Sequence, residues 1–167
     1  METPREAPRA YDVSRITEQL FVGSLPSEDI VAEVRALGVE LVISMINARP
    51  LRGLTEPPFR LVRLPTLDFP LFPIPLRKLR TGVDAALPVL ARGGRVLVYC
   101  RQGRHRSVVM ACSILIATGM TADDAMATVM AGRAVADPHE FYIEPRIRAF
   151  ERYWRNRQGT GAGEVAR

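Results

Sequence analysis

Apolar positions along this chain fall into two rhythms: short solid runs, and longer stretches with helical spacing. The solid runs are Leu20-Phe21-Val22, Leu41 to Met45, Phe59 to Leu64 and Arg95-Val96-Leu97-Val98-Tyr99. Runs of this length predict strands, and runs without alternation predict strands covered on both faces. The first predicted strand spans Ile16 to Val22, with Leu20-Phe21-Val22 as its apolar part. Helical spacing begins at Pro26-Ser27-Glu28-Asp29, a serine cap with acids in the first turn. Ile30, Val31, Val34 and Leu37 then share one face, and Gly38 stops the helix. Leu76 to Leu90 predicts a helix with Leu79, Val83, Leu87 and Leu90 as its buried stripe, ended by Gly93-Gly94. Ser107 to Thr118 is apolar nearly all round and predicts a buried helix, closed by Gly119. Thr121 caps a further helix carrying Asp123 and Asp124 in its first turn, with Met126, Val129 and Met130 toward the core. Ile147, Phe150, Tyr153 and Trp154 mark a last helix with an aromatic face. Between these elements lie loops over Asn47 to Pro58, Pro65 to Pro75 and Ala134 to Glu144. The second of them holds four prolines and one aspartate, so it is irregular.

Strands alternating with helices predict an α/β domain: a central, mostly parallel twisted sheet of about four to five strands flanked by helices. The length of 167 residues suits one domain, expected over residues 13–157, with loose tails at 1–12 and 158–167. The longest apolar stretch, Val108 to Thr118, is too short to span a bilayer, and no basic-then-apolar signal opens the chain. These features predict a cytoplasmic protein with no stable membrane insertion. Two cysteines make no disulfide framework. Cys112, on the apolar helix, reads as a small core residue. The formal charge is +5, and of the 23 basic residues only Lys78 is lysine. The arginines are spread rather than gathered into a stripe, which argues against a nucleic-acid partner.

The candidate chemistry sits between a predicted strand and a predicted helix. The run is Cys100-Arg101-Gln102-Gly103-Arg104-His105-Arg106-Ser107. A tight loop leading into a helix N-terminus aims backbone N–H groups inward and makes an anion site. A cysteine there has its thiolate stabilised, and the Arg106 fork can hold two oxygens of a phosphate. Gly103 suits the middle of the loop, where a side chain would obstruct the phosphate. Arg101, Arg104 and His105 place basic groups around the cradle, and with Gln102 and Gly103 they form the candidate substrate-binding set.

The Cys-x5-Arg-Ser run in this strand–loop–helix context resembles the active loop of the cysteine-dependent protein tyrosine phosphatase superfamily, in its small dual-specificity branch. The resemblance extends over Val13 to Trp154. The family carries a general-acid aspartate about thirty residues upstream on a mobile loop; here Leu64-Pro65-Thr66-Leu67-Asp68-Phe69-Pro70 places Asp68 in the proline-rich loop, 32 residues before the cysteine. Asp84, on a helix, is expected not to reach the loop, Glu56 is a weaker candidate, and His139 is expected on the surface. The resemblance implies Cys100 as nucleophile, Arg106 as phosphate ligand, Asp68 as general acid and Ser107 as hydrogen-bond partner of the sulfur. It implies hydrolysis through a phosphocysteine, with no cofactor and no metal. The implied substrates are phosphotyrosine and phosphoserine/threonine in proteins. Basic residues at Arg101 and Arg104 are similar to those of phosphatases acting on phosphoinositides and phosphatidylglycerophosphate, so a lipid headgroup or small phosphomonoester is the alternative. A phosphate-binding pseudophosphatase is the third reading, because Tyr99 stands where the family has histidine. A rhodanese-like sulfur transferase would need neither Asp68 nor Ser107.

Overall fold

The computed structural model describes residues 10–161. A five-stranded sheet forms the centre, built from β1 (Val13–Arg15), β2 (Leu20–Gly23), β3 (Val39–Ser44), β4 (Arg60–Arg63) and β5 (Arg95–Tyr99). Their spatial order is β1-β2-β5-β3-β4. Strands β2, β5, β3 and β4 run parallel, and β1 closes one edge as the antiparallel arm of a hairpin. The helices are α1 (Val31–Ala36), α2 (Leu76–Ala91), α3 (Arg106–Ala117), α4 (Ala122–Gly132) and α5 (Glu144–Gly161). The α/β class with a mostly parallel sheet is the one predicted from the apolar rhythm.

β5 is the innermost strand. It pairs with β2 on one side and β3 on the other, and Val96, Leu97 and Val98 are fully buried. That explains its unbroken apolar run: both faces are covered, so there is no polar face to alternate with. Helix α3, which follows β5 after a short loop, packs against α2, α4 and α5 as well as against β2 and β5. Every residue from Arg106 to Ile116 is buried. The loop between these two central elements is therefore fixed at both ends.

The structure corrects several local expectations. Ile16 to Val22 is not one strand. Ile16 and Thr17 both donate backbone N–H bonds to Leu20, and the Thr17 hydroxyl accepts from Gln19 and Leu20. This turn splits the segment into the β1–β2 hairpin. The helix expected from Ser27 opens as a 3-10 turn, Glu28–Ile30, because the Ser27 hydroxyl turns to the Asp29 carboxylate instead of capping the backbone. On α2 the buried stripe runs through Leu79, Val83, Ala86 and Val89; Leu87 and Leu90 only flank it. Met130 is exposed, while Met126 and Val129 are buried as expected. Gln158 to Gly161 continue α5 rather than fraying; the rest of that expected tail, and most of the N-terminal one, lie outside the described residues. Thr121 caps α4 as expected, accepting a bond from the Asp124 N–H.

Truncating the central strand measures how far the fold rests on it. Leu97→Ala is expected to lower unfolding free energy by about 2–5 kcal/mol. In urea titration this reads as a lower midpoint with an unchanged slope.

Candidate active site

The loop from Cys100 to His105 leaves the carboxyl end of β5 and bends back over the cysteine. Cys100 is almost fully buried. Its Sγ lies 3.2 Å from the Ser107 hydroxyl and accepts a bond from the Gly103 N–H at 3.2 Å. Burial pushes the thiol up. Hydrogen bonds from the Ser107 hydroxyl and from the Ser107 and Arg104 backbone, with the Arg106 charge, outweigh it, so the group sits below its ordinary value. The buried Cys112 thiol has no such donors, and burial alone drives it far up. Cys112 belongs to the core, as its apolar helix suggested.

Arg106 opens α3 with its side chain nearly buried, one terminal N–H donating to the Thr66 carbonyl at 2.9 Å. Its Nε is buried with no hydrogen-bond partner among the described residues. Through Thr66 this arginine ties the active loop to the proline-rich loop. Thr66 is in turn pinned to Met45, its backbone N–H and hydroxyl both donating to the Met45 carbonyl. Asp68 follows two residues later and reaches back over the cysteine loop. One carboxylate oxygen lies 3.2 Å from His105 Nδ1 and 3.9 Å from Arg106 Nε; the other accepts from the Tyr142 hydroxyl at 2.8 Å. Tyr142 Oη also lies 3.2 Å from His105 Nδ1, and the two rings meet edge to face. Burial and Asp68 push the Tyr142 hydroxyl up to about 12, so it remains a donor at neutral pH.

Cys100 and Ser107 thus meet across the loop, and Asp68 lies beside Arg106 and His105. His105, expected among the basic groups around the cradle, has a mostly buried side chain that engages Asp68. Arg104 is already paired, with Asp137 at 3.0 Å, while Arg101 and Gln102 stay exposed at the rim. Asp84 pairs with Arg80 on α2, Glu56 sits exposed in the turn before β4, and His139 pairs with Glu144 on the surface. The fold also gathers ligand-type atoms of His105, Asp137 and Glu140 within 4.8 Å, which sequence spacing did not show; Arg104 supplies a cation there.

The reason for Gly103 is different from the one read in the sequence. Its φ is +64°, a left-handed conformation that disfavours side chains. A Cβ there would lie 2.5 Å from a terminal nitrogen of Arg133 and 2.7 Å from the Gly23 carbonyl, so the pressure comes from beneath the loop. Sequence reading missed Arg133, which is one arginine among many and belongs to no motif. It follows α4 directly and is buried, its Nε donating to the Gly103 carbonyl at 2.7 Å and a terminal nitrogen to the Gln102 carbonyl at 3.0 Å. The same guanidinium grips Asp12 through both carboxylate oxygens, at 2.8 and 3.1 Å, and donates to Ser14. Its hydrogen bonds hold the Asp12 carboxyl below the usual range.

No family model matches the chain. The chain is similar to human dual specificity phosphatase 28, 29% identical over 126 residues, which is 75% of this chain and 70% of the relative. In fold it is similar to a mouse protein described as a dual specificity phosphatase, solved with zinc tungstate (TM-score 0.79, 24% identity, 95% of this chain and 96% of that one). It is likewise similar to PTPMT1 in complex with PI(5)P (TM-score 0.78, 22% identity, 87% and 98%). These relatives and neighbours support the cysteine-dependent protein tyrosine phosphatase superfamily, in its small dual-specificity branch, as the chain's kin. The same relatives support a phosphoric monoester hydrolase. Among its described residues, no helix is long and apolar enough to cross a membrane.

Two outcomes follow for this phosphatase. Iodoacetate inactivation against pH is expected to give a Cys100 midpoint below the free-thiol value of about 8.5, shifted upward in Ser107→Ala; a parent midpoint at or above it contradicts the donor arrangement. Arg133→Met leaves the Gln102 and Gly103 carbonyls without their donors and is expected to cost about 1–3 kcal/mol in urea unfolding.

Proposed function

We propose that this phosphatase cleaves phosphomonoesters through a phosphocysteine on Cys100, with Asp68 as general acid. The observation that carries the reading is that Asp68, from a separate loop, lies against Arg106 and His105 of the cysteine loop. A phosphate-binding module needs the cradle but not an acid held above it, so this position supports turnover over the pseudophosphatase reading.

The loop amides and the Arg106 guanidinium bind the phosphate dianion, whose oxygen satisfies the buried Nε. The Cys100 thiolate attacks phosphorus in line. The bond from phosphorus to the leaving oxygen breaks as Asp68 donates its proton to that oxygen. Ser107 then hydrogen-bonds the sulfur and eases its departure. Asp68, now a carboxylate, takes a proton from water as that water attacks phosphorus, which releases inorganic phosphate and restores the thiolate. Tyr142 and His105 hold the Asp68 carboxylate between these steps. Arg101, Gln102, Gly103, Arg104 and His105 contribute loop backbone and rim contacts.

The substrate we assign first is phosphotyrosine in proteins, with phosphoserine and phosphothreonine as further targets, in the cytoplasm. A lipid phosphomonoester is the second reading. It is favoured by the apolar side chains that Leu67, Phe69, Leu71 and Phe72 expose beside the site.

With p-nitrophenyl phosphate, Cys100→Ser is expected to abolish turnover. Asp68→Asn is expected to cut kcat by about 10²–10⁴-fold on an alkyl phosphate and less on an aryl one, because the aryl oxide leaves more readily unprotonated. Equal rates for Asp68→Asn and parent on both substrates would remove Asp68 from the acid role.

A further inference from the structure

We infer that the face around the active-site mouth docks on an anionic phospholipid bilayer. The loop that carries Asp68 exposes Leu67, Phe69, Leu71 and Phe72, and Phe141 faces the same region; all five are between 50% and 78% exposed. Isolated exposed apolar residues are ordinary, but a contiguous group beside a substrate pocket marks an interaction surface. These residues are grouped by structure. Phe72 donates its backbone N–H to the Phe69 carbonyl, forming a turn that presents both rings 6.0 Å apart. Phe141 stands across a groove of about 390 Å³ from Pro70 and Pro73, so loop and α5 entry form one apolar rim.

The rim is also rigid. Four prolines, Pro65, Pro70, Pro73 and Pro75, stiffen the loop. Its ends are anchored by the Thr66 hydroxyl on Met45 and by the buried Ile74. The apolar tips are therefore displayed outward at little entropic cost, rather than left over from a loose loop.

Charge selects the occupant. Arg77 and Lys78 stand at the start of α2; Lys78 donates to the Pro65 carbonyl and lines a second apolar groove with Leu67, Leu71 and Phe72. Arg146 lines the groove beneath Phe141, and Arg101 is exposed on the active loop. Arg77, Arg101 and Arg146 have no ion-pair partner among the described residues, and the acid of the loop, Asp68, is turned inward to His105 and Tyr142. Apolar tips flanked by unneutralised arginines fit an interface of acyl chains and anionic headgroups. A bilayer also needs no shape match to outward-pointing tips, whereas a protein partner would need a concave counterpart. Apart from Arg101, docking uses no group of the reaction, so it goes beyond the reading above and does not depend on which phosphomonoester is cleaved.

Sedimentation with vesicles tests it. The full chain is expected to sediment with mixed phosphatidylglycerol–phosphatidylcholine vesicles, to bind less as salt rises, and to remain in solution with phosphatidylcholine alone. Leu71→Ser/Phe72→Ser is expected to weaken binding by at least about tenfold while retaining p-nitrophenyl phosphate turnover. That turnover reports the reaction separately, so a failed reaction and a failed docking face give different results. Leu71→Trp is expected to shift its emission to the blue on the mixed vesicles. The proposal is overturned if the parent does not sediment with the mixed vesicles, or if the double variant sediments as the parent does. It is equally overturned if the rim instead closes a dimer of this chain that the double variant dissolves.

Discussion

A thiol at the end of a fully buried strand ionises only if the backbone above it bends into a tight loop with its donors facing inward. Most of the architecture around Cys100 serves that constraint. β5 fixes where the sulfur starts and α3 fixes where the loop must end. The loop between them brings the Gly103 N–H and the Ser107 hydroxyl to the sulfur. Burial by itself would raise the thiol, as it does at Cys112; the donors reverse the sign at Cys100. Two buried cysteines twelve residues apart thus differ in chemistry because only one lies where a strand opens into the donor-lined loop.

The bent loop is held from below and from above. From below, Arg133 binds the carbonyls of Gln102 and Gly103 and carries their load to Asp12 and Ser14 at the edge hairpin. A buried arginine with its donors engaged is favourable only because each is satisfied. From above, Asp68, His105 and Tyr142 form a three-sided hydrogen-bonded set spanning the proline-rich loop, the active loop and the approach to α5. Arg106 adds a fourth tie, to Thr66. The proposed acid, anion ligand and nucleophile are therefore tied into one hydrogen-bonded frame, which suits a reaction whose catalysis is mostly positioning and electrostatics.

The sequence displayed what local rules encode. β5 was legible because an unbroken apolar run, Val96 to Tyr99, set between Arg95 and the motif has few other readings. The loop was legible because its residues are consecutive, and Asp68 because the prolines around it forbid a helix or strand. What stayed hidden depends on distance. Arg133 lies 30 residues from the carbonyl it binds, and no local pattern separates it from the other arginines. His105 and Tyr142 read as ordinary loop residues until the fold sets them against Asp68. The β1–β2 turn was missed because Thr17 competes for backbone donors through its side chain, a choice that apolar periodicity does not register. On α2, the stripe shifted from Leu87 and Leu90 to Ala86 and Val89 because the helix packs closely on α3, where small residues fit better than leucine.

The central claim is that Cys100, and no other group, takes the phosphoryl group from substrate. Acid-quenching the enzyme during turnover of an aryl phosphate, followed by peptide mass spectrometry, tests it most directly. The account predicts one phosphoryl group on the tryptic peptide from Val96 to Arg101, localised to Cys100 and absent from Cys100→Ser. Phosphate on another residue, or rapid turnover in Cys100→Ser, would contradict it.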